Sequence, residues 1–390
     1  MTRAKIFIGW IIATALLGLL LGACVVSDMV SGSDGGRARN VILFIGDGMG
    51  QAQVVAASYV QSGQQGADTP GLFFEAFPVL GYLTTHSEDS FVTDSAAAGT
   101  ALACGIKTTN GTIGQTSDGV RAQSILEYAH GLGMATGDVT SVQVNHATPA
   151  CFASHVESRQ QYSDILDQYL ADRTAEVFLG GGLAGDDVSI DDVAQRAQSA
   201  GYRWIGPGEG EQLLTVIPGE RLFGSFDENG DGHLDYPSER RELQSTEPHL
   251  HHLALAAVEA LSADPDGFFL MVEGGAIDWA CHANQIQNTV DEVLELDRTI
   301  EAVCERLEEM GRLDETLIIV TADHETGGLT LPGPYRQTLA ETTSPEFAWS
   351  SGNHTAIPVL VWARGPGAEA LSGRHDETFV VDAIKAALGR

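Results

Sequence analysis

The sequence predicts an α/β protein with a doubly wound, mostly parallel central sheet and helices on both of its faces. Three observations support this fold class. Short, continuous apolar runs have the length of buried strands. Amphipathic helical segments alternate with these runs, which is the order found in doubly wound sheets. Finally, 43% of the 390 residues are hydrophobic, so the chain has enough apolar surface for a large core.

The predicted elements follow one another along residues 40–390. Apolar runs predict five buried parallel strands, at residues 41–45, 177–179, 268–272, 317–320 and 357–362. Residues 288–310 place their apolar side chains on one helical face, and Gly311 ends that helix. Residues 248–261 predict a second helix with Thr246 as its N-cap. A Gly-, Asp- and Pro-rich stretch at about 180–247 is predicted to be an inserted region of the same domain.

Charge and motif content exclude several classes of protein. The chain has 21 Lys and Arg against 53 Asp and Glu, which gives a net charge of −32. Such an acidic chain offers no basic surface for nucleic acid or anionic lipid headgroups. The sequence has neither a P-loop motif nor a repeat of fixed period, so P-loop NTPases and solenoids are also excluded.

The first residues predict a targeting segment. Residues 1–23 combine Arg3 and Lys5 with a long apolar run, which is typical of a signal peptide. The run ends in Leu-Gly-Ala-Cys at residues 21–24, and this ending resembles a bacterial lipobox. The resemblance implies cleavage before Cys24 and a lipid on its thiol, with an uncleaved anchor or a free secreted protein as alternatives. Residues 24–39 then form a flexible tether, and the protein is extracytoplasmic and anchored to a bacterial membrane.

Candidate metal ligands follow three of the predicted strands. Asp47 comes after the first strand, Glu273 begins a segment that also contains Asp278 and His282, and Asp323 and His324 follow a third strand. Ligands gather at the carboxyl ends of the strands in doubly wound sheets. Carboxylates together with imidazoles suit zinc, and the spacing of Asp278 and His282 puts both on one helical face.

Five motifs in this order resemble the alkaline phosphatase family. They are the stretch 40–50 around Asp47, Thr-Asp-Ser-Ala-Ala at 93–97, His-Ala-Thr-Pro-Ala at 146–150, the stretch 272–282, and Thr-Ala-Asp-His at 321–324. The similarity extends from about Asn40 to the C-terminus. It implies a metal-dependent phosphate monoester hydrolase that acts through a phosphoserine and forms a homodimer.

The resemblance also implies a role for individual residues. Ser95 matches the nucleophile, and Arg159 matches the arginine that clamps phosphate and is oriented by Asp94. One zinc ion would be held by Asp278, His282 and His354. A second zinc ion would be held by Asp47, Asp323 and His324. A third ion would be held by Asp47, Thr148 and Glu273.

The chemistry of these residue types agrees with those roles. A serine hydroxyl is a poor nucleophile until metal coordination lowers its pKa. The Ala-rich stretch after Ser95 predicts a helix, whose N-terminus favours an anion. Arginine can donate two parallel hydrogen bonds to a phosphoryl group. Ser95 together with Arg159 favours monoesters over diesters. A phosphodiesterase of the same superfamily and a non-catalytic, calcium-binding surface lipoprotein remain the alternatives.

Two residues leave the identity of the third ion open. His146 and Trp279 stand where some bacterial relatives have Asp and Lys, so the charge around that ion differs. Magnesium is expected there, with zinc and cobalt as alternatives. His146 is either part of the phosphate site or a packing residue, and Trp279 is predicted to form a wall of the cleft.

Several weaker signals complete the predictions. Residues 227–235 resemble an EF-hand loop, with Asp227, Asn229, Asp231 and Asp235 as candidate calcium ligands, although position 12 lacks its glutamate. His249, His251 and His252 are predicted to form a solvated first helical turn. Cys281 is predicted to be a buried thiol or half of a disulfide, since up to two disulfides fit four mature cysteines. Glu325 is either a support for the metal ligands or a loop charge.

Overall fold

A ten-stranded sheet forms the centre of the protein in a computed structural model that describes residues 36–62, 71–332 and 346–389. The strand order across this sheet is β14-β2-β13-β8-β1-β7-β3-β4-β6-β5. Four further short strands form two separate pairs, β9 with β12 and β10 with β11. The strands are β1 Asn40–Gly46, β2 Val79–Thr84, β3 Ala135–Thr140, β4 Val177–Gly180, β5 Arg203–Ile205, β6 Leu222–Ser225, β7 Phe268–Gly274, β8 Thr316–Thr321, β9 Glu325–Thr326, β10 Leu329–Thr330, β11 Ala348–Trp349, β12 His354–Thr355, β13 Val359–Arg364 and β14 Gly373–Asp376.

Nine of the ten strands in the large sheet run in the same direction. The exception is β13, which is antiparallel to both β2 and β8. The prediction of a parallel strand at 357–362 is therefore wrong in direction, and the strand begins only after Pro358, which has no N–H to donate. The other four predicted strands are present as parallel members of the sheet.

Helices cover the sheet in two groups, which confirms the predicted fold class. Helices α1, α8 and α10 pack together, and α2, α3, α4 and α11 form the other group. The helices are α1 Gln51–Ser62, α2 Ser95–Cys104, α3 Ile125–Gly131, α4 Ala147–Ala153, α5 Tyr162–Asp172, α6 Ile190–Ser199, α7 Arg240–Leu243, α8 Leu250–Leu261, α9 Ala276–His282, α10 Ile286–Glu309 and α11 Phe379–Leu388.

The two helices for which the sequence predicted bounds both begin at residues other than the predicted ones. Helix α10 begins at Ile286 and ends before Gly311, whose φ of +68° favours glycine. Helix α8 begins two residues later than expected, and its N-cap is His249. The Thr246 hydroxyl donates to Glu228 instead, so the predicted cap is wrong.

The region at about 180–247 extends the sheet. It supplies β5 and β6, and β6 pairs in parallel with β4. From Arg37 onward the chain forms one compact unit, to which this region belongs. The predicted signal peptide, the predicted lipobox and most of the predicted tether lie outside the described residues. No helix within the described ranges has the length and apolar character needed to cross a membrane.

The four cysteines among the described residues are buried and free. Cys104, Cys151, Cys281 and Cys304 are all unbridged, so the structure contains none of the disulfides that the sequence allowed. Burial raises the pKa of the Cys104 and Cys304 thiols to about 12, which keeps them protonated. The cysteines therefore act as small apolar core residues.

Candidate active site

The predicted metal ligands meet at one edge of the sheet. Ile45 of β1 pairs with Glu273 of β7 on one side and with Thr321 of β8 on the other. Because these strands are parallel and in register, the residues that follow them emerge side by side. Asp47, Glu273 and Asp323 are all completely buried there.

The first cluster of candidate ligands contains Asp278, His282 and His354. The Asp278 carboxylate lies 3.2 Å from His282 Nε2 and 3.7 Å from His354 Nε2, and the two Nε2 atoms are 3.1 Å apart. Asp278 and His282 occupy successive turns of α9, as their spacing predicts. His354 comes from β12, more than 70 residues further along the chain. The three ligand atoms therefore converge from two separate segments.

The second cluster contains Asp47, Asp323 and His324. His324 Nε2 lies 3.4 Å from Asp47 Oδ1 and 3.2 Å from Asp323 Oδ2. The other Asp323 oxygen accepts hydrogen bonds from the backbone N–H groups of Gly48 and His324. Asp323 therefore turns one oxygen to the backbone and the other to the cluster. Gly48 is required at this point, because its φ is +71° and a Cβ would lie 2.8 Å from Asp278 Oδ1.

Backbone carbonyls orient two of the imidazoles. His282 Nδ1 lies 2.8 Å from the Gly352 carbonyl oxygen, and His354 Nδ1 lies 2.9 Å from the Thr93 carbonyl oxygen. A carbonyl only accepts hydrogen bonds, so each Nδ1 must carry the proton. The neutral form of each ring therefore directs the lone pair of Nε2 into the cleft, as a metal ligand requires. The hydrogen bond to Asp278 raises the pKa of His282 to about 9, so a metal ion would replace the proton on its Nε2.

Thr326 links the two clusters, a role that no pattern in the sequence indicated. Its hydroxyl donates to Asp278 Oδ1 and lies 3.2 Å from His324 Nδ1. Because the hydroxyl proton is directed at Asp278, the Thr326 oxygen accepts from His324 Nδ1–H. His324 Nε2 is thereby left unprotonated and directed at Asp47 and Asp323. The motif contained only a polar loop residue at this position, so nothing distinguished it from ordinary loop polarity.

A third group lies beside the second cluster. One ligand atom from each of Asp47, His146 and Glu273 lies within 4.8 Å of the other two. Burial raises the pKa of Glu273 to about 7, against the lowering effect of the hydrogen bond from the Thr140 hydroxyl. The hydroxyl of Thr148, a predicted ligand from α4, is buried without a hydrogen-bond partner among the described residues.

The buried oxygens of these groups fit divalent cations. Among the described residues, Asp47 Oδ1 and Oδ2, Glu273 Oε1 and Asp323 Oδ2 are buried without a hydrogen-bond partner. Burial, followed by repulsion from Asp323, raises the pKa of Asp47. Burial and repulsion from Asp278 raise that of Asp323 to about 8. Carboxylates crowded in this way are stabilised as anions by a bound cation, which supplies both the ligand and the charge that they lack.

Ser95 is the first residue of α2. Asp94 is the N-cap, and its Oδ1 accepts from the Ala97 N–H at 3.0 Å. Ser95 is 2% exposed, and its Oγ lies 3.2 Å from His324 Nε2. The hydroxyl therefore borders the second cluster at the positive end of a helix dipole.

Arg159 lies across the cleft and is held by two partners. Its Nη1 donates to Asp94 Oδ2 at 3.1 Å, and its Nη2 lies 3.1 Å from His146 Nε2. Since arginine only donates, His146 Nε2 accepts this hydrogen bond and its proton lies on Nδ1. Burial, together with the positive charge of Arg159, lowers the pKa of His146 to about 3. His146 is therefore neutral and helps to orient the guanidinium.

The loop that follows α2 holds Asp94 in place through hydrogen bonds. Asn110 Oδ1 accepts from the Asp94 N–H, and the Gly111 N–H donates to Asp94 Oδ1, both at 3.0 Å. The Gly111 carbonyl in turn accepts from the Arg159 backbone N–H at 2.7 Å. This loop therefore fixes Asp94 and Arg159 together. Asn110 is a second supporting residue that sequence reasoning missed.

The cleft is a small cavity that opens to solvent. Its volume is about 330 Å³. The residues that line it are Ser95, His146, Arg159, Asp278, Trp279, His282 and His354. The Trp279 ring packs edge-on against His146 at 5.9 Å and so forms a wall of the cavity. All the predicted groups for phosphate binding and nucleophilic attack thus surround one space.

Glu325 supports the loop that carries His354. It is 2% exposed, and its carboxylate accepts from the Gln53 amide, the Gly328 N–H and the Thr355 hydroxyl. Glu325 also pairs with Thr355 where β9 meets β12. Of the two interpretations left open for Glu325, the structure favours the supporting role. Gln53, in α1, showed no sequence signal for this contact.

Cys281 is a buried thiol. Burial raises its pKa well above the ordinary value, and its Sγ lies 3.6 Å from the Thr289 hydroxyl. It is therefore poorly suited to act as a thiolate ligand.

The side chain of Asn145 holds the backbone of a neighbouring segment. Its amide accepts a hydrogen bond from the N–H of Ala184 and donates one to the carbonyl of Ala184.

The calcium-like loop is closed by its own hydrogen bonds. Asp227 accepts from the backbone N–H groups of Asn229, Gly230 and Gly232, and the Asn229 amide donates to Asp235 at 2.6 Å. The carboxylate oxygens of Asp227, Asp231 and Asp235 do not form a candidate metal cluster among the described residues. Calcium binding at this loop stays a prediction.

Comparisons with known proteins agree with this site. A family model described as alkaline phosphatase matches residues 38–346. Alkaline phosphatase 4 of Bacillus subtilis is 35% identical over 306 residues, which cover 76% of this chain but only 64% of that protein. Alkaline phosphatase 3 of the same organism is 30% identical, and the match covers 90% of this chain and 89% of that protein.

Solved structures show the same fold. Alkaline phosphatase from the Antarctic bacterium TAB5 matches with a TM-score of 0.77 and 30% identity, over 90% of this chain and 99% of that chain. A variant of the TAB5 enzyme, in which a histidine is replaced by glutamate, has Mg bound in its M3 site.

Replacing Thr326 by Val tests the link between the clusters. The variant keeps the shape of the side chain but loses the hydroxyl that holds Asp278 and the Nδ1–H of His324. We expect metal affinity and kcat/KM to fall by about 10- to 100-fold, as is usual for groups that orient metal ligands. Thr330→Val, which removes an exposed hydroxyl in β10, is the matched control. Equal metal affinity in both variants would show that Thr326 does not orient the ligands.

Proposed function

Because the chain belongs to the alkaline phosphatase family, we propose that it is a metal-dependent phosphatase that hydrolyses phosphate monoesters through a phosphoserine at Ser95. One observation carries this proposal: Ser95, at the N-terminus of α2, shares a small cavity with Arg159 and with the cluster of Asp278, His282 and His354, and its Oγ lies 3.2 Å from His324 of the second cluster. A nucleophile, a bidentate phosphate ligand and metal ligands around one space are the parts that phosphoryl transfer requires.

The metal ions in this proposal are two zinc ions and one magnesium ion. Asp278, His282 and His354 would hold one zinc ion, and Asp47, Asp323 and His324 the other. Bound zinc lowers the pKa of an oxygen nucleophile and stabilises negative charge on a transferring phosphoryl group.

The third ion is assigned to Asp47, Thr148 and Glu273. Hydroxyl and carboxylate oxygens suit magnesium better than they suit softer ions. His146 is near but carries its proton on Nδ1 while Arg159 bonds its Nε2, so it would act there as a donor. The Mg bound in the TAB5 variant is compatible with magnesium in this chain, and zinc and cobalt remain the alternatives.

In the first step, the Ser95 oxygen attacks phosphorus and the alcohol leaves. The guanidinium of Arg159 donates to two phosphoryl oxygens, and Asp94 and His146 hold it in position. The α2 N-terminus places its positive dipole end at the same group. In the second step, water attacks phospho-Ser95 and releases inorganic phosphate, which restores the free serine. Arg159 and the N-terminus of α2 would therefore stabilise the negative charge of the phosphoryl group in both steps.

The assembly and the location of the protein are also part of the proposal. The chain spans 64% of the length of one Bacillus subtilis relative and 89% of another, so the relatives' activities are not transferred in detail. We infer a homodimer from the family alone. We also infer a lipid anchor at Cys24, which would hold the enzyme outside the cytoplasm, where phosphate released from esters can be taken up.

A comparison of two chromogenic esters tests the reaction class. With zinc and magnesium supplied, we expect kcat/KM to be much higher for p-nitrophenyl phosphate than for bis-p-nitrophenyl phosphate. The reason is that Arg159 pairs with two charged oxygens, whereas a diester carries only one negative charge. A preference for the diester would favour the phosphodiesterase alternative.

Ser95→Ala tests the nucleophile. We expect the variant to lose the phosphoenzyme that is trapped after mixing wild-type enzyme with a ³²P-labelled monoester. We also expect kcat to fall by at least about 10³-fold, because the covalent route is lost. Ser90→Ala, outside the cavity but in the preceding loop, is the control. Covalent labelling of the Ser95→Ala protein would contradict the mechanism.

Cys24→Ala tests the anchor. In cells fed a labelled fatty acid, we expect label in the wild-type protein and none in the variant. The variant should also move from the membrane fraction to the soluble fraction if residues 1–23 are still removed. Label that persists without Cys24 would contradict lipidation at this thiol.

A further inference from the structure

Two histidines and a glutamate meet outside the active site, where the start of α8 packs against α10. His249 Nδ1 lies 3.3 Å from Glu295 Oε2, and His251 Nδ1 lies 3.0 Å from Glu295 Oε1. One ligand atom from each residue lies within 4.8 Å of the others. The sequence predicted only a solvated first turn for these histidines. Instead they are partly buried against a carboxylate from a distant helix.

We propose that His249, His251 and Glu295 bind one zinc ion that is separate from the ions of the active site. Two imidazoles and one carboxylate are a ligand set that zinc accepts, with water as a fourth ligand. In a tetrahedral zinc site with bonds of about 2.0–2.1 Å, neighbouring ligand atoms are roughly 3.3 Å apart. The separations between the imidazoles and the carboxylate, 3.0 Å from His251 Nδ1 to Glu295 Oε1 and 3.3 Å from His249 Nδ1 to Glu295 Oε2, are close to this value, and each histidine faces a different oxygen of the carboxylate.

Glu295 provides the second, independent reason for a cation. The residue is only 4% exposed, and its Oε2 has no hydrogen-bond partner among the described residues. Arg298 Nη1 lies 3.9 Å from this oxygen, too far for a hydrogen bond, and its side chain is 57% exposed. Oε1 of this buried carboxylate hydrogen-bonds with His251 Nδ1, but Oε2 lacks a strong partner, and a bound ion would supply one.

The two histidines give an ion access to this carboxylate. Their side chains are 33% and 28% exposed, whereas the Glu295 side chain is 6% exposed. The imidazoles thus border solvent while the carboxylate forms the floor of the site. An ion bound there would join the first turn of α8 to the middle of α10, two helices that pack along each other.

His252 is excluded as a ligand and serves as the matched control. Its Nδ1 accepts the backbone N–H of His249 at 3.1 Å, so the proton of the neutral ring is on Nε2. Burial and the neighbouring imidazoles lower the pKa of His252 to about 4, which keeps the ring neutral. His252 therefore supports the helix start next to the proposed site without directing a free lone pair into it.

Zinc counting by equilibrium dialysis tests the proposal in the full-length enzyme. Wild type, Glu295→Gln, His251→Ala and His252→Gln are stripped with chelator, reconstituted with magnesium and dialysed against buffered free zinc from nanomolar to micromolar. Bound zinc per chain is then measured by mass spectrometry. We expect Glu295→Gln and His251→Ala each to bind one zinc ion fewer than wild type, or to bind it at least tenfold more weakly. His252→Gln should match wild type.

Hydrolysis of p-nitrophenyl phosphate confirms that each variant is folded and separates this proposal from the proposed activity. The three variants should keep wild-type kcat/KM, because none of these residues belongs to the active site. Equal zinc binding by wild type and Glu295→Gln across the whole range would overturn the proposal. Loss of the same ion from His252→Gln would also overturn it, because the binding would then depend on the helix start and not on the three ligands.

Discussion

The crowding of buried carboxylates at the carboxyl edge of the sheet is the constraint on which the rest of the site depends. Asp47, Glu273 and Asp323 are completely buried, and Asp278 is nearly so. Without compensation, burial and mutual repulsion raise the pKa values of Asp47, Glu273 and Asp323 and favour their protonated forms, whereas the hydrogen bond from His282 lowers the pKa of Asp278. Divalent cations remove this conflict and convert a destabilising cluster into a binding site.

The surrounding structure serves to keep the ligand lone pairs directed at this cluster. Carbonyl oxygens and the Thr326 hydroxyl fix the Nδ1 protons of three histidines, which leaves each Nε2 free. Glu325 holds the β9–β12 pair through several hydrogen bonds and so keeps His354 in place. Opposite these ligands, Asp94 caps α2 with one oxygen and binds Arg159 with the other. Ser95 and Arg159, the proposed nucleophile and phosphate ligand, are therefore positioned by a single residue.

Much of this arrangement could be predicted because parallel strands bring their ends together. Short apolar runs located β1, β7 and β8, and the acidic and histidine residues after them had to share one edge. The direction of β13 could not be predicted, since an apolar run does not show which way a strand runs. Thr326 and Asn110 were missed because each acts through the hydrogen bonds of one polar side chain, and the sequence does not distinguish such a side chain from other polar residues. The contact of His251 with Glu295 joins two residues that are 44 positions apart in the sequence, and no local pattern indicates it.

The thermal stability of the enzyme with and without metal tests the central claim most directly. Calorimetry would compare the Glu295→Gln variant after its metal is stripped by chelator with the same variant reloaded with zinc and magnesium. This variant lacks the proposed ion between α8 and α10, so the difference in Tm reports on the active site alone. Filling two zinc sites at about 1,000 times their Kd adds roughly 8 kcal/mol to the free energy of unfolding. We therefore expect Tm to rise by at least about 10 °C on reloading. An unchanged Tm would contradict the account, because the buried carboxylates would then be stable without cations.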